Sequence, residues 1–392
     1  MLGAGKIGGV KVRDVAARWA HADALATRDL AALLATPLPV PEPLRGPLVV
    51  YGAGKTGREV HRLLAAEGFD VLVFLDSFAR PGQAWDGLPV LLPEAFAATG
   101  EAGLTTAVVA IHNRDAELPP VFARLRTLGF ARAVGMVELY RLYPDQPDRY
   151  WLCDPARRAG DAERILAVRD RLADATSRLW LDRVVAFRRT GAYELLPPHD
   201  AARPYRPADV PRWPEPIRFV DGGAFDGDTL AAFLDDGYRV SAAACFEPDP
   251  GSFAALSARA RTLSASCDVR LFPAGLGAAA GRGRVEAGLG EASRVSDAGG
   301  LEIAVVALDD VLPDFRPTLV KLDVEGAEAD ALAGARSVIR DCRPALAVCV
   351  YHRPSDLWEI PEAIDAWGLG YRLYLRGHGY ASFDFVLYAL PS

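Results

Sequence analysis

Apolar residues in this chain fall into two blocks of alternating strand-type and helix-type pattern, separated by polar stretches that carry prolines. Near the start, Val12, Val15, Trp19, Leu25, Leu30, Leu33 and Leu34 recur at helical spacing and predict an amphipathic helix over residues 11–35. Residues 37–47 are proline-rich, which bars a helix and marks a linker. A β-turn-α-β unit follows: an apolar strand at 48–51, a glycine turn at 52–57, a helix at 58–66 and a second strand at 71–75 that ends at Asp76. A strand at 107–111 and a helix at 117–128 complete a small Rossmann-like α/β domain. Residues 142–160 read as a second linker. Ile165, Val168, Leu172, Ala175, Leu179, Val184 and Phe187 then predict one long helix over 161–189, ended by Gly191 and the prolines that follow. The second block has strands at 217–221, 242–247, 268–273, 318–323 and 345–351, most of them separated by helices. Two last strands, 371–375 and 383–389, are joined by a turn too short for a helix and predict a hairpin. The expected layout is a helix and linker at 1–47, a nucleotide-binding-type domain at 48–141, linker and long helix at 142–216, and a larger α/β domain at 217–392.

Composition narrows the partners. At 392 residues the chain exceeds one ordinary core, and its 51% hydrophobic content fills two. A net charge of −7 gives no basic footprint, so nucleic acid is not an expected partner. No apolar run approaches the roughly 20 residues of a membrane span, and charges at Lys6, Lys11, Arg13 and Asp14 leave no signal-peptide core. Cys153, Cys245, Cys267, Cys342 and Cys349 are scattered without a C-x-x-C pair. Reduced, buried thiols in a cytoplasmic protein fit that spacing; a zinc site or disulfide framework does not.

Candidate chemistry concentrates where strand 217–221 runs into Asp221-Gly222-Gly223-Ala224-Phe225-Asp226-Gly227-Asp228-Thr229. The glycines let the backbone approach a ligand, and the helix beyond Thr229 presents unpaired N–H groups. About 20 positions on, Glu247, followed by Pro248, ends the next strand where a carboxylate can accept both ribose hydroxyls. The turn is D-x-G-x-x-x-G rather than the dinucleotide spacing. Asp221, Asp226 and Asp228 would repel a pyrophosphate but suit the ammonium of an amino-acid tail. A nucleoside joined to a zwitterion is S-adenosylmethionine. The parallel sheet closed by an antiparallel hairpin is the class I methyltransferase form of the doubly wound fold, and differs from the all-parallel dehydrogenase form.

The first block carries its own glycine turn. Gly52, Gly54 and Gly57 have the G-x-G-x-x-G spacing after a strand, Lys55 can face a phosphate or solvent, and Asp76 lies where a ribose contact is expected. The same spacing at residues 1–8 has no strand before it and is a coincidence.

From about residue 160 onward the sequence resembles the FkbM family of S-adenosylmethionine-dependent methyltransferases. Residues 220–229, Phe246-Glu247-Pro248-Asp249, Val320-Lys321-Leu322-Asp323-Val324-Glu325-Gly326-Ala327-Glu328 and residues 351–357 carry the resemblance, in that order. It implies O-methylation of sugar or polyketide hydroxyls, with Tyr205 and Arg206 covering the cofactor. Phe225 departs from the small residue many methyltransferases have there. The first block lies outside the resemblance.

The expected cofactor contacts are Asp221, Gly222, Gly223, Phe225, Gly227, Asp228, Thr229, Glu247, Pro248 and Asp323. A hydroxyl acceptor needs a base, and Asp323, Glu325 and His352 stand at neighbouring strand ends. His352 titrates nearest neutrality and is the expected base, with Asp323 or Glu325 orienting it or the acceptor. The same three residues would alternatively hold Mg²⁺ or Mn²⁺. Glu328 is expected on the exposed start of the next helix, and Ser293-Arg294 in a lid or a plain surface loop. Expected partners are a small-molecule or glycosyl acceptor, a sugar nucleotide among them, and the chain is compatible with a homodimer. The competing reading is an NAD(P)-dependent oxidoreductase or sugar-nucleotide-binding protein centred on Gly52–Gly57. No second catalytic group accompanies His112 near the end of the 107–111 strand, which counts against the oxidoreductase.

Overall fold

The computed structural model describes residues 29–144, 152–197, 199, 203–285 and 300–392. Of the helix expected over 11–35, Leu30–Ala35 is helical, with the Asp29 carboxylate accepting the Ala32 N–H at 2.8 Å. The rest of that helix, the glycines of residues 1–8, and Ser293-Arg294 lie outside the described residues.

Two compact units divide the chain. The first takes Met1–Ala162, Asp182–Pro198 and Tyr380–Phe383; the second takes Glu163–Leu181, His199–Gly379 and Asp384–Ser392.

In the first unit, β1 (Leu48–Tyr51), β2 (Val71–Leu75), β3 (Ala84–Trp85), β4 (Leu88–Leu91), β5 (Thr106–Val109) and β6 (Arg132–Val134) form a sheet ordered β3-β4-β2-β1-β5-β6. All four residues of β1 and of β5 are buried. Runs of that kind suit central parallel strands covered on both faces. The β3–β4 pair is antiparallel and turns on Asp86-Gly87, with φ of 50° and 82°. Asp-Gly with two positive φ angles is the favoured two-residue hairpin turn.

The second unit holds a seven-stranded sheet ordered β15-β16-β14-β13-β7-β8-β9. Its strands are β7 (Ile217–Gly222), β8 (Val240–Phe246), β9 (Asp268–Phe272), β13 (Leu319–Leu322), β14 (Ala345–Cys349), β15 (Tyr371–Gly377) and β16 (Phe385–Pro391). Pairings among β9, β8, β7, β13 and β14 are parallel, and β16 runs antiparallel to both β14 and β15. This is the expected methyltransferase-type sheet with its terminal hairpin. The order reverses at β7, whose neighbours are β8 and the much later β13. A ligand crevice opens at such a switch point, beyond the strands' C-terminal ends. A separate three-stranded sheet, β10 (Gly275–Leu276), β12 (Leu301–Val306) and β11 (Gly281–Val285), was not anticipated from the pattern.

The single helix expected over 161–189 is two helices, Asp161–Arg171 and Ala175–Thr190. Two local interactions break it. Ala173 N–H donates to the Leu373 carbonyl of β15 at 2.8 Å, and the Asp174 carboxylate accepts the Ser177 N–H at 2.6 Å. A short acidic side chain that caps a turn competes with helix continuation. Asp174 also pairs with Arg376 at 2.7 Å. No helix among the described residues is long and apolar enough to cross a membrane, and none of the five cysteines forms a disulfide.

Candidate functional site

The switch point of the second unit brings two turns together. Asp221 and Gly222 at the end of β7 lie in register with Lys321 and Leu322 at the end of β13. Asp323 N–H donates to the Gly222 carbonyl at 3.0 Å. Gly223 adopts φ 72°, and a Cβ there would sit 1.8 Å from the Asp323 carbonyl oxygen. Only glycine lets the first turn fold so closely over the second. Phe225 takes the left-handed region at φ 48°, and Gly227, at φ 86°, begins the helix Asp228–Asp235 that carries Thr229.

Glu247, just past β8, organises the first turn from the side. Its Oε2 accepts the Phe225 N–H at 2.9 Å and its Oε1 accepts the Asp249 N–H at 2.8 Å. Burial pushes this carboxyl upward, against the pull of those two donors. Each oxygen keeps a further acceptor position. Pro248 is half-buried beside it, and Asp249 caps the helix Pro250–Leu263 through Ser252 N–H.

The three acids expected to rim the turn take different places. Asp228 is exposed and accepts the Thr229 N–H at 2.7 Å. Asp226 pairs with Arg259 at 2.6 Å. Asp221 is fully buried beneath the turn, 3.0 Å from Lys321 Nζ. Burial raises the Asp221 carboxyl to about 6, against the Lys321 charge. Lys321 itself is also buried, yet Asp221 and Asp323 outweigh its desolvation and hold it charged. Its ammonium donates to the Gly223 carbonyl at 2.5 Å, so it ties the turn to β13. Lys321 is a site residue that motif spacing does not single out. The available signal was a lysine inside an apolar strand, in register with a buried acid.

Asp323, Glu325 and His352 converge at the ends of β13 and β14. His352 Nε2 lies 3.5 Å from Asp323 Oδ1 and 3.7 Å from Glu325 Oε2. Asp323 Oδ2 accepts the Tyr205 hydroxyl at 2.7 Å, which puts Tyr205 against the site; Arg206 turns away to Asp236 at 3.2 Å. The expectation for Glu328 is corrected. It is fully buried, accepts Val324 N–H and Gly326 N–H at 2.8 and 3.0 Å, and meets His352 Nδ1 at 2.8 Å. Its position in a helix-like pattern suggested exposure, but the helix Glu328–Ala333 begins inside the turn and aims its first side chain back into it. Burial disfavours an imidazolium, yet Glu328, Glu325 and Asp323 outweigh it and lift His352 to about 10. Asp323, despite burial, is held low by Lys321 and His352. The surrounding carboxylates thus favour the imidazolium over the neutral ring, which works against the role of base expected for His352.

In the first unit, the glycine turn after β1 is shaped by packing. Gly52 has φ 114°, and a Cβ on Gly57 would lie 1.8 Å from the Gly52 carbonyl oxygen. Gly54 faces open space. Lys55 pairs with Glu59 at 3.9 Å on the surface. The Asp76 carboxylate accepts Ala53 N–H at 3.1 Å and Phe78 N–H at 2.8 Å, so it braces the turn.

Residues 221–380 match the model of the methyltransferase FkbM domain. That span contains both turns, Glu247 and His352. The chain is also similar to the crystal structure of Methyltransferase FkbM from Methylobacillus flagellatus KT, with a TM-score of 0.71 and 23% sequence identity, covering 96% of this chain and 98% of that one. The likeness extends the shared fold through both units. No curated protein matches the sequence.

Proposed function

We propose, from the FkbM-type domain at residues 221–380, that this protein is an S-adenosylmethionine-dependent O-methyltransferase acting on a hydroxyl of a sugar, glycan precursor or polyketide-type small molecule. The observation that carries the reading is the placement of two groups of side chains beyond the C-terminal ends of strands around the sheet's switch point. Glu247 stands past β8, and the Asp323, Glu325 and His352 cluster stands past β13 and β14. The Glu247 oxygens fit a nucleoside, because each is oriented by a backbone N–H and keeps a position for one ribose hydroxyl. Gly222, Gly223, Phe225, Gly227, Asp228 and Thr229 shape the adjoining turn, with Asp221 and Lys321 locked beneath it. When bound, S-adenosylmethionine supplies an electrophilic methyl group on a sulfonium.

The rest is the work of the chain. Aligning the acceptor oxygen supplies much of the acceleration. The acceptor proton passes to the carboxylate of Asp323 or Glu325, which stand 3.5 and 3.7 Å from His352 Nε2 beyond the strand ends. His352, held by Glu328, places its Nε2 toward the two carboxylates at 3.5 and 3.7 Å.

The test is methyl transfer from labelled S-adenosylmethionine to a panel of glycosides, sugar nucleotides and polyketide alcohols. The product should carry the label as an ether on a former hydroxyl. Asp323→Asn should lower kcat by about 10²-fold. A variant that turns over at the wild-type rate would remove Asp323 from the chemistry.

A further inference from the structure

We infer that Asp323, Glu325 and His352 form a divalent-cation site, with Glu328 as the carboxylate that orients the histidine. The inference deepens the methyl-transfer reading, on which its functional meaning rests, but the binding itself stands on geometry alone.

Ligand atoms of the three residues lie within 4.8 Å of one another. The 3.5 and 3.7 Å separations from His352 Nε2 are too long for hydrogen bonds. They leave room for an ion bound at about 2.1–2.2 Å from Nε2 and from each oxygen. Two of these atoms are stranded: His352 Nε2 and Asp323 Oδ1 are both buried with no hydrogen-bond partner. The His352 side chain is only 5% exposed, and a buried polar atom left unpaired is costly. The opposite ring nitrogen explains which way Nε2 points. Nδ1 is taken by Glu328 at 2.8 Å, and Glu328 is pinned by the N–H groups of Val324 and Gly326. A carboxylate behind a histidine is the arrangement that fixes a metal-binding imidazole and raises its basicity.

Charge points the same way. Asp323, Glu325, Glu328 and Asp356 surround His352, with Lys321 beside Asp323 and Arg353 beside Asp356, and an ion at Nε2 takes the place of the ring proton that this charge otherwise favours. One imidazole and two carboxylates on neighbouring strand ends form a mixed nitrogen and oxygen set that leaves coordination positions open. The oxygens suit Mg²⁺ or Mn²⁺, and the imidazole shifts the preference toward Mn²⁺. An ion here would supply Lewis acidity beside the acceptor hydroxyl and lower its pKa.

The experiment titrates Mn²⁺ into EDTA-stripped full-length protein and follows loss of the free-ion signal by electron paramagnetic resonance. The expected result is saturable binding of one Mn²⁺ per chain. Asp323→Asn and Glu325→Gln should each weaken it at least tenfold, and Glu328→Gln about 10–100-fold, with circular dichroism confirming folded variants. Glu325→Gln alters a partly exposed side chain and keeps the test valid if Asp323→Asn fails to fold. Absence of saturation at millimolar Mn²⁺, or equal binding by wild type and Glu325→Gln, would overturn the site. S-adenosylhomocysteine is titrated into the same stripped protein. Nucleoside binding without Mn²⁺ binding defeats the metal inference alone, and Mn²⁺ binding without nucleoside binding defeats the methyltransferase reading alone.

Discussion

Gly223→Ala is expected to destabilise the second unit and to abolish nucleoside binding together. Its Cβ would lie 1.8 Å from the Asp323 carbonyl oxygen, a backbone atom that cannot swing aside. The residue also sits at φ 72°, where an L side chain costs about 1–2 kcal/mol. Displacing a packed backbone adds about 1–3 kcal/mol. A loss of about 3 kcal/mol lowers the melting temperature by roughly 6–12 °C for a unit of this size. The nucleoside effect should be larger than the stability change suggests, because relieving the clash separates the Gly222–Gly227 turn from Asp323. Calorimetric affinity for S-adenosylhomocysteine should fall at least 100-fold. Gly54→Ala is the control, since a Cβ there meets nothing within 4 Å. A Gly223→Ala variant that melts and binds like wild type would show that the close approach of the two turns is unimportant.

Lys321→Met should cost about 3–5 kcal/mol, measured by urea unfolding. The reason is the group left behind. Asp221 is fully buried, and its charge partner among the described residues is the Lys321 ammonium at 3.0 Å. Removing the cation strands a carboxylate and also cuts the tie from β13 to the Gly223 carbonyl. The double variant Lys321→Met with Asp221→Asn should recover a large part of the loss, because the stranded charge is gone. Failure to recover would mean that the tie to the turn, and not the charge pair, dominates. Raising the pH from about 4 to about 6 acts on the same group in wild type. A buried acid lifted from 3.8 to about 6 binds its proton more tightly when folded, so its contribution to stability falls across that window.

Much of this arrangement is legible in the residues themselves. Ile217–Gly222, Val240–Phe246, Leu319–Leu322 and Ala345–Cys349 are short apolar runs bounded by glycine, proline or acids, and they are strands where the pattern puts them. The terminal hairpin is legible because no helix-length segment separates its strands. What escaped detection depends on contacts between distant segments. The break at Leu172–Asp174 arises from a bond to Leu373 in β15, which a helical period cannot reveal. The β3–β4 hairpin is the exception: Asp86-Gly87 marks it locally. Glu328 lies in a sequence position that reads as an exposed helix start, and only the left-handed backbone at Glu325 and Gly326, φ 54° and 97°, turns it inward. Asp221 looked like a ligand contact and instead lies under the turn, because its partner Lys321 comes from a strand one hundred residues later in the chain.

Everything proposed about chemistry depends on a nucleoside held at Glu247. The most direct test is isothermal titration of S-adenosylhomocysteine into wild type and Glu247→Ala. The account predicts one saturable site per chain in wild type and at least a tenfold weaker one in the variant, because both ribose hydroxyls lose their acceptor. Equal affinity in the two proteins, or no binding to either, would contradict it.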